Sequence, residues 1–271
     1  MTVCIAAIAE FGGSILVAMD KMMTSGDVAT DLGTAKGMRV HDRWFAAFAG
    51  DVTQVPPIMR GAIASLAATS QPSVAQVAES FVQAYSAQRS RVAEQLFLSQ
   101  FHLDMPTFKG MLSADNNDCI RDLKEQIDGL DFALDFIVAG FDADSVPHIF
   151  TVRNPGVEKH YDQTGFWSVG AGLELALNNL ILRKYDQFKS LGESAYYVAE
   201  SKFVAESTLG VGQDTVVLVL KPDNVMAFIT RQKLAAVREI WETDAKPRVP
   251  DNLESRMVEQ IRFEKVLPFK A

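Results

Sequence analysis

The apolar residues of this chain come in short runs that neighbour one another in sequence, and that clustering limits the sheets it can build. Val3 to Ala9 and Ser14 to Met19 are joined by Phe11-Gly12-Gly13, where paired glycines can take positive φ in a tight turn, and they predict an opening β-hairpin. After a polar, glycine-punctuated stretch from Thr24 to Gly33, Met38 to His41 and Trp44 to Phe48 predict a second pair, turning at Asp42-Arg43 and ended by Gly50. Phe132 to Phe141 and Pro147 to Val152 flank the turn Asp142-Ala143-Asp144-Ser145, with His160 and Tyr161 on the next short strand. Thr215 to Leu220 and Val225 to Ile229 are the last two strands. Hairpin partners need only a short turn, whereas parallel neighbours need a crossover, so the pattern favours antiparallel sheets with helices packed outside.

The helices carry their own signals. Met59 to Ala67 follows Pro56-Pro57, and prolines favour a helix start over its interior. Ser73 and Gln76 form a capping box ahead of Val74, Val77, Phe81 and Tyr85, a helix running into the nineties. One helix follows Gly170-Ala171-Gly172 through Leu173, Leu177, Leu180 and Ile181, and another spans about Glu193 to Glu206 with Tyr196, Ala199 and Phe203 on one face. Leu234, Val237 and Ile240 mark a further helix, read as core-facing in preference to an oligomer interface. Asp251 with Glu254 caps a C-terminal one whose apolar positions are Leu253, Met257 and Ile261. The order is strands, two helices, strands, two helices, strands, helix. Periodicity fades between Ser99 and Asp118, which predicts an inserted lobe. No repeat or linker divides the chain. The expectation is an α+β, αββα sandwich over residues 1–243, with the lobe at 99–118 and a C-terminal extension over 244–271.

Composition removes several functions. A net charge of −8 argues against nucleic acid and against an anionic membrane surface as partners, because either needs clustered Lys and Arg. Cys4 and Cys119 are too few for a disulfide framework or a thiolate cage and suit a reducing compartment. With no secretory signal and no run near the roughly 18 apolar residues of a membrane span, a cytoplasmic protein is expected. The four histidines, His41, His102, His148 and His160, have no partner at metal-ligand spacing, so no metal or cofactor is expected. Gly170-Ala171-Gly172 and Gly210-Val211-Gly212 alone do not make a phosphate loop, and there is no G-x-S-x-G elbow. Cys4 reads as a small buried thiol in a strand.

An N-terminal nucleophile remains. The small side chain of Thr2 permits removal of Met1, and a free α-amino group, with a pKa near 8, can act as base for the hydroxyl of its own residue. Such a site also needs a Lys beside the hydroxyl, a carboxylate to hold that Lys, and a backbone N–H for the oxyanion. Asp20, Lys36 and Gly50 fall at strand ends where they can converge on the first strand. An ordinary strand-end ion pair is the competing reading for Asp20 and Lys36, and a plain turn glycine for Gly50.

Several segments together then carry a resemblance. They are Thr2-Val3-Cys4-Ile5, Val17-Ala18-Met19-Asp20, Lys36 before Met38-Arg39-Val40, and Phe48-Ala49-Gly50-Asp51. Farther on come Ile137-Val138-Ala139-Gly140-Phe141-Asp142, Pro147-His148-Ile149-Phe150, Val169-Gly170-Ala171-Gly172 and Gly210-Val211-Gly212-Gln213-Asp214. In this order, with 16 residues from Asp20 to Lys36 and 14 from Lys36 to Gly50, the chain resembles the proteasome β-subunit family of threonine peptidases, of the bacterial proteasome-like type, from residue 2 to about 230.

The resemblance implies a four-layer N-terminal nucleophile hydrolase fold. It implies Thr2 as nucleophile, Asp20 and Lys36 as its charged support, and the Gly50 N–H as oxyanion donor. It further implies a polypeptide substrate, a homo-oligomeric ring, and an ATP-dependent unfoldase of open identity as partner.

The chain also departs from the family. Ala171 stands where the family carries a serine, and Glu206 to Leu209 keeps the acid but not the hydroxyl of a later Asp-x-x-Ser pattern. Glu206 and Ser168 are the supporting candidates, with Ser207 and Thr208 as alternatives. Thr-Val-x-Ile also fits the family's first strand one or two residues farther in, which would make the chain a silent ring subunit. A small-molecule amidase of the same fold is the third reading.

Overall fold

The computed structural model describes residues 2–25, 28–31, 36–114, 118–248, 251–253 and 256–257, and of 22–25, 28–31 and 113–114 only the backbone. The opening hairpin pairs β1, Val3–Ala9, with β2, Ser14–Asp20, from Cys4 opposite Met19 to Ala9 opposite Ser14. Its turn differs from the expectation. Glu10, Phe11 and Gly12 take the positive φ values, while Gly13 has φ −77°. The polar stretch that followed in sequence forms a further short antiparallel pair, β3, Met22–Ser25, and β4, Val28–Asp31. β5, Gly37–His41, and β6, Trp44–Gly50, pair antiparallel around Asp42-Arg43, as the sequence predicts.

Between β6 and the next strand lie, among the described residues, four α-helices where sequence periodicity indicated two. α1, Val55–Leu66, takes Pro56 and Pro57 into its first turn, and α2, Val74–Ala93, starts on the Ser73–Gln76 capping box. α3, Met105–Ala114, and α4, Asp118–Asp128, follow, and Phe108, Ile120, Leu123 and Ile127 bury against Ala93 and Leu98 in a small cluster of their own.

The second half holds β7, Leu134–Phe141; β8, Pro147–Arg153; β9, Val157–His160; and β10, Phe166–Gly170. Tyr161 lies just outside β9. After these come α5, Leu173–Leu182; α6, Leu191–Ala205; β11, Thr215–Leu220; β12, Met226–Phe228; and α7, Arg231–Ile240. The expected C-terminal helix on Leu253, Met257 and Ile261 falls largely outside the described residues.

The long strands form two five-stranded antiparallel sheets, ordered β10-β1-β2-β11-β12 and β5-β6-β7-β8-β9. All seven residues of β1 and of β2 are buried, so both faces of these strands are covered, which is why they read as continuous apolar runs. Successive side chains leave a strand on opposite faces. Val3, Ile5 and Ala7 accordingly pack with Ala176, Leu180, Val198, Ala199 and Phe203 of α5 and α6. Cys4, Ala6 and Ile8 pack instead with Phe45, Ala47, Ala49, Ile137, Ala139 and Ile149 of the other sheet. The opposite face of that sheet, through Trp44, Ala46, Phe136, Val138 and Phe150, buries against Ile58, Met59, Ala62, Phe81 and Tyr85 of α1 and α2.

The protein is thus mixed α+β, with two antiparallel five-stranded sheets and, among the described residues, seven α-helices. On α7, Leu234 is buried and Val237 packs beside it, while Ile240 is half exposed, so the stripe faces the core only in part. Among the described residues no helix is long and apolar enough to cross a membrane.

Candidate active site

Thr2 immediately precedes β1 and Asp20 ends β2, so the hairpin ladder delivers both to the same end of the first sheet. The Thr2 hydroxyl donates to Asp20 Oδ1. Lys36 arrives from the second sheet, just ahead of β5. Its carbonyl accepts from Phe48 N–H of β6 at 3.1 Å, and its Nζ lies 3.1 Å from the same Asp20 Oδ1. The other carboxylate oxygen, Oδ2, accepts from the Gly212 N–H at 3.0 Å. Three of the four residues the sequence singled out therefore converge.

Burial separates this cluster from an ordinary strand-end ion pair. Thr2 and Asp20 are 0% exposed and Lys36 is 5% exposed. An exposed pair contributes about 0–1 kcal/mol and tolerates loss of either partner, whereas stripping one partner from a buried pair costs about 3–5 kcal/mol. A charge pair this deep persists only with its hydrogen bonds satisfied, and Asp20 has a donor on each oxygen.

The backbone around Thr2 is held as closely. Gly170, with φ +95°, leaves no room for a side chain, because a Cβ there would stand 2.3 Å from the Thr2 carbonyl oxygen. Gly172 N–H donates to that same oxygen at 3.3 Å. The Gly170-Ala171-Gly172 turn thus works here by close backbone approach. Gly50 ends β6 with φ +115°, and a Cβ on it would sit 1.7 Å from the Ala133 carbonyl oxygen. Its neighbour Ala49 packs against Gly170, which places Gly50 one residue from the backbone turn that holds Thr2.

Cys4 lies two residues beyond Thr2, on β1, and its thiol donates to the Phe48 carbonyl at 3.3 Å. Burial, joined by the Asp20 carboxylate, pushes its pKa up against the opposing pull of Lys36 and of the Phe48 bond. The thiol stays protonated, so a thiolate nucleophile is disfavoured at Cys4.

The two supporting candidates are not adjacent to the Thr2 hydroxyl. Ser168 on β10 is buried and donates to the Cys4 carbonyl at 3.0 Å. Ser207 donates to the Val204 carbonyl. Glu206, at the end of α6, accepts from Arg238 on both oxygens, at 2.8 and 2.6 Å, and from Lys202 Nζ at 2.6 Å. Lys202 also donates to the Gly212 carbonyl, so Glu206 reaches Asp20 through Lys202 and Gly212.

Lys202 is the residue that motif reading passed over. Its signal was present: a lysine four residues after Val198, on the face of α6 that is otherwise buried. Burial pulls its pKa down, Glu206 and Asp20 pull it back only in part, and Arg238 adds to the lowering.

A second titratable cluster lies at the far end of β7. His148 Nδ1 is 2.8 Å from Asp162 and its Nε2 3.3 Å from Asp142. Asp142 follows the end of β7 opposite to Leu134, which pairs with Gly50. Among the described residues no group of three or more His, Cys, Asp and Glu side chains has a geometry able to hold a metal ion. No protein-family model matches the chain, and no curated protein matches it significantly.

Proposed function

We propose that this chain is a proteasome-like N-terminal nucleophile hydrolase that cleaves peptide bonds with Thr2 once Met1 has been removed. The observation that carries the reading is the buried chain from the Thr2 hydroxyl through Asp20 to Lys36, at the end of the strand that opens the sequence. The separation of the core into one cluster between the sheets and one on each outer face supports a four-layer αββα arrangement for the same reading. A homo-oligomeric ring, a polypeptide substrate and a cytoplasmic setting belong to the proposal.

The chemistry follows from the atoms in place. Cutting the Met1–Thr2 bond converts the Thr2 nitrogen from an amide into an amine that is half unprotonated near pH 8. That amine takes the hydroxyl proton as Oγ attacks the scissile carbonyl, and the Lys36 ammonium, held by Asp20, lowers the energy of the charge that develops. The Gly50 N–H is assigned to the oxyanion. The amine then returns its proton to the leaving nitrogen, and water releases the acyl group from Oγ. Thr2 is fully buried in the intact chain, so the reading requires that loss of Met1 also opens the hydroxyl to substrate.

Two measurements test it together: the intact mass of the protein with its native N-terminus, and turnover of a peptide panel by wild type and Thr2→Ala. The expected result is loss of one Met and turnover that Thr2→Ala abolishes with the fold retained. Retained Met1 with no turnover would favour a silent ring subunit, which the full burial of Thr2 also fits.

A further inference from the structure

Lys202 is 0% exposed on α6, between the candidate site and a surface ion pair. An i,i+4 lysine–glutamate pair on a helix is ordinarily a solvated contact of a few tenths of a kcal/mol and has no reason to be buried. Nor does Glu206 depend on this lysine. Arg238 already occupies both of its oxygens, is braced across the Phe203 ring at 4.0 Å, and also donates to the Gln213 carbonyl at 3.1 Å. What Lys202 alone supplies is the bond to the Gly212 carbonyl.

Gly212 sits in a turn that has little stiffness of its own. Gly210-Val211-Gly212 contains two glycines, the first with φ +86°, and glycine loses more backbone freedom on ordering than any other residue. The turn is held by Val211, which is buried against Gly172 and donates its N–H to the Thr208 carbonyl at 3.1 Å, by Arg238 on the Gln213 carbonyl, and by two polar contacts on Gly212 itself: its N–H on Asp20 Oδ2 and its carbonyl on Lys202. Removing the lysine contact frees the residue that caps the carboxylate holding both Thr2 and Lys36.

We propose that Lys202 is a positioning residue, pinning the Gly210–Gln213 turn so that the Gly212 N–H holds Asp20 in register with Thr2 and Lys36. The inference rests on the reading of that trio as the hydrolytic site. The charged groups facing Lys202 are Glu206 at the end of its own helix, Arg238 on α7 and Asp20 on β2.

The test compares wild type and Lys202→Met in the full chain with its native N-terminus. Met fills the space of the lysine stem, and Arg238 keeps Glu206 paired, so the melting temperature stays within a few degrees. A turn displaced by an ångström or less reduces kcat for a peptide substrate about 10- to 100-fold with KM within about twofold. Exchange of the Gly212 amide accelerates at least about tenfold. Lys202→Gln, which keeps a donor without the charge, recovers part of both amide protection and kcat, and it carries the test if the Met variant does not fold.

Unchanged Gly212 exchange overturns the inference whatever the activity. Equal losses in kcat and melting temperature, without rescue by Gln, overturn it in favour of a purely structural lysine. Faster Gly212 exchange in a protein whose wild type turns over no peptide supports the pin and contradicts the hydrolase reading instead.

Discussion

Replacing Lys36 by Met isolates the energetic core of the site. The ammonium and Asp20 Oδ1 stand 3.1 Å apart, and at an effective dielectric near 20 the gross attraction is about 5 kcal/mol, most of it offset by the desolvation of both groups. The net pair is therefore worth little against an apolar replacement of both, yet loss of one partner leaves a carboxylate with 0% exposure uncompensated. Asp20 keeps the Thr2 hydroxyl and the Gly212 N–H, so Lys36→Met falls at the lower end of the range for broken buried pairs, about 3 kcal/mol.

Asp20→Asn removes the charge but also sets an amide donor against either the Gly212 N–H or the Thr2 and Lys36 donors, and costs about 2–3 kcal/mol. The double variant is less unstable than the sum, with a coupling of about 2–3 kcal/mol. Urea unfolding of all four proteins, with equal slopes, supplies the cycle. A coupling under about 1 kcal/mol is what a solvated pair gives, and it would refute the claim that burial makes this one special.

Two further outcomes follow from the geometry. Gly170→Ala forces a Cβ to 2.3 Å from the Thr2 carbonyl at φ +95°, so the strand start must move; peptide turnover falls at least about 100-fold while the distant His148 cluster is undisturbed, and wild-type turnover would remove the case for close packing at Thr2. At His148, burial lowers the pKa but the bonds and charges of Asp162 and Asp142 outweigh it, leaving the group raised; burial likewise opposes, and His148 and backbone donors overcome, the depression of the two carboxylates. The histidine's contribution to stability is thus complete below its unfolded value near pH 6.5 and lost as pH rises through the raised folded value, whereas the carboxylates' share is present above about pH 3.9 and lost as pH falls through their depressed values. The alkaline decline in urea midpoint becomes shallower in His148→Asn, and parallel curves for the two proteins would contradict it.

Legibility in the sequence tracked how local the determining physics is. β1 and β2 were readable because uninterrupted apolar runs, seven residues in β1 and five from Ile15 to Met19 in β2, are what strands covered on both faces require, and α2 because its capping box and apolar spacing lie within one segment. β3 and β4 were not, because their segment carries the glycines and polar residues of a loop. α3 escaped because it buries little more than Phe108 in a small cluster against the end of α2, too little to impose a strong period across Ser99–Asp118, whereas α4, beyond that stretch, carries a helical stripe of Ile120, Leu123 and Ile127 that is legible in the sequence.

At the site, the spacings of Asp20, Lys36 and Gly50 were visible once read together, since each stands at a strand end. Lys202 required the fold, because its partner Gly212 is ten residues away and Asp20 lies 182 positions earlier in the chain. The His148 cluster was hidden for the same reason, its two aspartates coming from separate turns.

The most direct test of the central claim is reaction with a peptide epoxyketone, which closes a ring only on a residue carrying both a free α-amine and a β-hydroxyl. Mass spectrometry of the native-terminus protein should find one adduct per chain, mapped to Thr2, and none on Thr2→Ala. A protein that begins at Thr2 and turns over peptides, yet carries no adduct or carries it on another residue, would contradict Thr2 as the nucleophile.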